Sequence, residues 1–211
     1  MRLCLLVPLI LAISSWNEAK PGKSTAAEAA AKIKGAVVRV ESQHANAEKP
    51  TVKAGVIVDA KGLVIAPYDG RHEDTEFTVT TDSGAKLKAK ILDANPKLGV
   101  VILKIAAEKP LGFNSFADSD ATDVGKIVVA IAWTAATPEG PTASSASVSA
   151  EKGKLGDETM LQVDSPGATR LEAGFLFDRK GSVLGVLAIG RSVGLAIPSN
   201  RMKELVAKHL Q

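Results

Sequence analysis

Twelve short runs of β-type residues, separated by turn signals between Ala36 and Ile197, leave this chain few architectures. The first run is Ala36 to Val40, followed by a polar loop over Gln43 to Pro50. Gly55 to Val58 and Leu63 to Ile65 flank Asp59-Ala60-Lys61-Gly62, a hairpin turn signal. Phe77 to Thr80 alternates, Asp82-Ser83-Gly84 is a turn, and Lys86 to Leu92 alternates charged and apolar residues like a half-solvated strand. Val100 to Leu103 is a fully apolar run. After a stretch rich in turn residues, Ala106 to Val124, come Ile127–Ile131, Ala143–Val148, Met160–Val163, Phe175–Phe177, Val183–Leu187 and Gly194–Ile197. Many short strands at regular spacing predict an all-β sandwich or barrel, here in two halves. No internal repeat stands out.

Helical signals stand only at the ends. Ser24 or Thr25 can cap a short Ala-rich helix from Ala26 to Ile33, which Gly35 ends. Near the C-terminus, Ser199 or Asn200 is the expected cap after Pro198, and Met202, Leu205, Val206 and Leu210 form one apolar stripe.

Residues Met1 to Ala19 read as a signal peptide. Arg2 is the positive start, Leu3 to Ile13 the apolar stretch, and Ala12-Ile13-Ser14 or Ala19 the cleavage region. The apolar run is far shorter than the ~20 residues of a membrane span. Cys4 stands at the start of that run and leaves with it, so the mature chain has no cysteine. Export without disulfides points to a bacterial periplasm or extracellular space. The expected division is 1–19 signal peptide, 20–35 linker and short helix, and 36–211 the folded domain, with halves 36–108 and 109–211.

Composition removes some functions. Aromatic residues are 4% and the formal net charge is +3 without a basic run, so nucleic acid is not an expected partner. His44, His72 and His209 lack metal-ligand spacing. No phosphate-binding Gly-rich motif is present. No metal and no cofactor is expected.

Several stretches, taken in order, resemble the trypsin-like serine proteases, and most closely their bacterial high-temperature-requirement (Deg) branch. They are Gly55 to Ile65 (GVIVDAKGLVI), Asn95-Pro96 with Val100 to Ile105, and Asp118-Ser119-Asp120 with Val124-Gly125 and Val129-Ala130-Ile131. Val148-Ser149-Ala150, Gly181 to Val186 and Gly194 to Asn200 (GLAIPSN) continue the series. The resemblance covers about Ala36 to Leu210. It implies two packed antiparallel β-barrels with a cleft between them, a short N-terminal helix and a C-terminal helix.

The same resemblance implies that the triad is gone. The family's histidine position falls on Asp69, its aspartate on Gly99 and its serine on Glu172. The glycine that opens the oxyanion loop becomes Arg170, and Ala173 follows the serine position. Triad chemistry needs a nucleophile, a base and an orienting acid, and a carboxylate at residue 172 puts negative charge where negative charge must be stabilised. The expectation is a pseudoprotease that binds or scaffolds, with extended peptide the implied partner near Ser192, Val193, Gly194 and Leu195, and an apolar pocket from Leu195, Ala173 and Phe175 unless Phe175 fills the core. The rival readings are an active serine endopeptidase with a relocated site, drawn from His72, Ser165 and Thr169, and a chaperone-like holding protein. Asp69 and Glu172 could also act as a carboxylate pair or bind a cation, against the plainer reading that they are solvated or paired with Arg71 or Arg170.

Overall fold

The computed structural model describes residues 30–33, 35–68, 70, 74–133, 135, 139–155, 158–164, 173–188 and 194–210. Among them are twelve strands: β1 (Val37–His44), β2 (Thr51–Asp59), β3 (Leu63–Pro67), β4 (Thr75–Thr80), β5 (Lys86–Asn95) and β6 (Val100–Ile105) form the first half. The second half holds β7 (Ile127–Ala132), β8 (Thr142–Leu155), β9 (Glu158–Asp164), β10 (Gly174–Phe177), β11 (Val183–Ala188) and β12 (Gly194–Pro198). All pairings between these strands are antiparallel. They close two six-stranded barrels, ordered β1-β2-β3-β6-β5-β4 and β7-β8-β9-β12-β11-β10. The two orders are the same, so the chain repeats its topology where its sequence shows no repeat. The signal-peptide segment, the start of the Ala-rich helix and Arg71 to Glu73 lie outside the described residues. Residues 30–33 are helical, and Gly35 stands in the turn that follows.

Three apolar layers explain the run patterns. The first barrel is filled by Val38, Val40, Ile57, Val64, Val79, Val101, Leu103 and Ile105. The second is filled by Val128, Ala130, Leu161, Val163, Leu176, Leu184 and Ala196. The alternate residues of the same strands form a third layer: Val56, Leu63, Ile65, Val100 and Ile102 from the first half, with Val129, Ile131, Phe175, Phe177, Val186 and Ile197 from the second. β2, β3 and β6 are therefore buried on both faces, which is why they read as continuous apolar runs. β4 and β5 have one wet face and alternate. Strand β1 runs on through His44, so the loop expected from Gln43 begins later; Gln43 and His44 pair with Glu76 and Thr75 of β4.

The segment between the barrels stitches both. Leu111 and Asn114 donate backbone bonds to Ala60 and Ile57, and Ala117 donates to Val183. The C-terminal helix, Ser199–Ala207, differs from the expected capping. Its N-cap is Pro198, with no side-chain cap bond. A proline has no side-chain acceptor, and the acceptor comes from 81 residues away instead: Asn200 N–H donates to Ser119 Oγ at 3.1 Å. Asn200 Nδ2 donates to Asp118 Oδ1 at 2.8 Å and Asp120 Oδ2 at 2.9 Å, and Ser199 Oγ donates to the Ala117 carbonyl at 2.8 Å. Met202 and Val206 of the apolar stripe are buried; Leu205 packs beside them, and Leu210 is exposed.

Candidate active site

Strands β3 and β6 set the first-barrel side of the candidate site. Their ladder runs from Leu63↔Lys104 to Pro67↔Val100. It is extended by one bond, Tyr68 N–H to the Gly99 carbonyl at 2.7 Å. Gly99 and the residue just before position 69 thus lie side by side at the same strand ends, although 31 positions separate Tyr68 from Gly99. Gly99 has φ +61°, the left-handed region that glycine enters without a steric penalty. Its N–H donates to the Pro96 carbonyl at 3.3 Å, and Leu98 N–H donates to Asn95 Oδ1 at 3.0 Å.

The second-barrel side begins at Ala173 and β10. Gly174 pairs with Ala132 and Phe175 with Ile131. The approach at Gly174 is close enough that a Cβ there would meet the Ile131 carbonyl oxygen at 2.3 Å. Ala173, immediately before it, is buried with φ +58°. For a residue with a Cβ this conformation costs roughly 1–2 kcal/mol. It is one of two non-glycine residues with positive φ among those described, the other being Asp74.

The other predicted positions divide clearly. Asp69, His72, Ser165, Thr169, Arg170, Glu172, Ser192 and Val193 lie outside the described residues. Gly194 and Leu195 are within β12, where Leu195 is paired on both sides, with Gln162 of β9 and Ala188 of β11. Phe175 fills the core: it is 1% exposed and its ring lies 6.4 Å from that of Phe177. Ala173 and Leu195 are also buried, so these three residues do not line an open apolar pocket. Among the described residues no group of three or more His, Cys, Asp or Glu could hold a metal ion, and no helix is long and apolar enough to cross a membrane.

One residue that sequence reasoning passed over stands here. Trp133 follows β7 directly, beyond the Gly174↔Ala132 pair. It is 8% exposed, and its indole Nε1 has no hydrogen-bond partner. Only its place after the apolar run Ile127 to Ile131 could have flagged it.

A trypsin-like peptidase domain model matches residues 53–186. The chain belongs to the trypsin-like peptidase family. Among relatives of this trypsin-like chain, a probable periplasmic serine endoprotease DegP-like from Brucella suis is 31% identical over 171 residues, 75% of this chain and 33% of that protein. The corresponding Rickettsia conorii protein is 26% identical over 169 residues, 74% of this chain and 33% of its own length. The periplasmic serine endoprotease DegP of Escherichia coli K12 is 29% identical over 168 residues, 75% of this chain and 35% of that protein. The trypsin-like chain spans about a third of the length of these curated relatives, and the likeness agrees with the Deg branch.

Proposed function

We propose that this trypsin-like chain is a pseudoprotease of the Deg branch, exported to the bacterial periplasm, that holds extended peptide segments without cleaving them. The observation that carries the proposal is Gly99. The family places its orienting carboxylate there, and this chain has a left-handed glycine without a side chain. The histidine and serine positions are carboxylates, Asp69 and Glu172. Neither is a nucleophile–base pair of the Ser–His type. Loss of the triad leaves at most roughly 10³–10⁴-fold catalysis over water, and that remainder depends on the oxyanion hole. Arg170 in place of the loop glycine, with Glu172 beside it, opposes such a hole. The periplasmic relatives and the apolar start Leu3 to Ile13 support export.

The relatives' own names favour the rival, an active serine endopeptidase with a relocated site. Labelling with a fluorophosphonate probe, beside casein digestion, separates the two. The proposal expects no signal above a Glu172→Ala control. A labelled serine would establish the endopeptidase instead. A holding role further expects suppression of aggregation of an unfolding client with the client left intact on a gel.

A further inference from the structure

We propose that His209 and Asp93 form a proton-controlled clasp, closed when the imidazole is charged, that ties the exit of the C-terminal helix to the strand leading into the Gly99 turn. The helix packs on β11 and β12 of the second barrel. Its end reaches the first barrel: His209 Nε2 lies 3.5 Å from Asp93 Oδ2 on β5. The His209 N–H donates to the Val206 carbonyl at 2.8 Å, which fixes the residue at the helix terminus, where the carbonyl ends favour a cation.

Strand β5 presents the carboxylate through a bulge. Ile91 pairs with Leu103 and Asp93 with Ile102, so Leu92 is an extra residue. A bulge re-aims the side chains around it. Leu92 is exposed, and Asp93 stands opposite Ile102, which shares the layer between the barrels with Met202 and Val206 of the helix. Beyond Asp93 the chain runs through Asn95, whose Oδ1 accepts from Leu98 N–H, to Gly99, whose carbonyl accepts from Tyr68 N–H. The clasp therefore acts on the first-barrel wall of the candidate site.

Enclosure gives the proton its weight. His209 Nε2 is shut off from solvent without a formed hydrogen bond, and Asp93 is the carboxylate beside it. An imidazole is cationic in mild acid and neutral in mild base, while a carboxylate stays charged through both. The charge attraction is thus present at the lower pH and lost as pH rises. The neighbouring elements do not compete for it. β11 and β12 carry no ionisable side chain. On the helix, Arg201 pairs with Glu158 and Glu204, Lys203 donates to Asn200, and Lys208 precedes His209 in the chain. Lys90 and Lys104 oppose each other on the far side of the bulge, and Lys97 is exposed in the turn.

Nuclear magnetic resonance of the isotope-labelled full chain tests the clasp. Over about pH 5 to 8, the range in which histidines titrate, the amide shifts of Tyr68, Leu98 and Gly99 should move with the midpoint of the His209 ring resonance. In Asp93→Asn the ring should still titrate while those amides no longer follow it. Amides that titrate unchanged in His209→Gln answer to another group, such as His44 or His72, and overturn the proposal. So does a His209 titration in the parent that leaves all three amides still. Urea unfolding of the parent, His209→Gln, Asp93→Asn and the double variant gives the coupling separately. It should be about twofold to fivefold in the unfolding equilibrium constant at about pH 5.5, the range of a partly exposed ion pair, and shrink toward none at about pH 8. Coupling of equal size at both pH values would make the contact a fixed tie without proton control, against the proposal.

Discussion

The left-handed backbone at Ala173 has a consequence that stability measurements can read. Replacing alanine by glycine in a strand interior normally loses twice. The buried methyl contributes about 0.8 kcal/mol, and glycine's extra freedom in the unfolded chain costs about 0.5–1 kcal/mol. Ala130, fully buried inside the second barrel on β7, is such a position, so Ala130→Gly should cost about 1.5 kcal/mol, with any residual cavity adding to that. Ala173→Gly loses the same two amounts, since Ala173 is 7% exposed. It also relieves a conformation that costs roughly 1–2 kcal/mol with a Cβ present. The sum for Ala173→Gly lies near zero, so the two variants should differ by about 1–2 kcal/mol. For a chain of this size that is roughly 2–8 °C in Tm. Urea unfolding followed by circular dichroism gives both values, and equal slopes confirm that the comparison is between native states. A loss at Ala173 as large as that at Ala130 would refute a left-handed residue 173.

Other consequences follow from packing and charge. Gly174→Ala should cost about 3 kcal/mol or more, because its Cβ would meet the Ile131 carbonyl oxygen at 2.3 Å; expression of folded protein and the urea midpoint report it. Phe177→Ala, at a fully buried ring between the barrels, should cost about 3–5 kcal/mol in the same titration. The Asn200 side-chain amide holds the Asp118 carboxyl below the usual carboxylate range, with the Asp120 backbone N–H and Lys203 adding to it. A depressed folded pKa gives stability that is present above the unfolded value near 3.9 and lost as pH falls through the folded one. The stability gap between the parent and Asp118→Asn should therefore be full at neutral pH and close as the titration passes below about pH 4; a gap that widened in acid would contradict the assignment.

The sequence announced the strands because their signals are local. Every one of the twelve runs, from Ala36–Val40 to Gly194–Ile197, coincides with an observed strand, and most strands extend a few residues beyond the run. Polar ends such as Gln43-His44 or Lys154 have no hydrophobic period, and pairing with a neighbour keeps them extended. The helix cap was not legible for the opposite reason. Ser199 and Asn200 are the residue types that cap locally, but here the acceptor comes from Ser119, and only the fold places it there. The same contact accounts for two of the blocks that carry the family likeness. Asp118-Ser119-Asp120 and Pro198-Ser199-Asn200 are distant in sequence and form one hydrogen-bonded joint between the linker and the helix. Trp133 was missed because an isolated aromatic after an apolar run has no spacing to read.

What holds the two sides of the candidate site is backbone geometry. The Tyr68–Gly99 bond joins the ends of β3 and β6, and the missing Cβ of Gly174 lets β10 lie against β7. The layer between the barrels, with Phe175 and Phe177 at its centre, fixes how the halves meet. None of these contacts uses a hydroxyl, imidazole or carboxylate of a triad. On the pseudoprotease reading proposed above, the chain keeps this frame while the triad positions are replaced. On this argument, restoring one triad residue alone should leave the protein as silent toward a fluorophosphonate as before, because nucleophile, base and orienting acid act as a unit. Glu172→Ser tests this directly. Labelling of that single variant would mean that a base already stands within reach of residue 172, and would count against the proposed pseudoprotease reading.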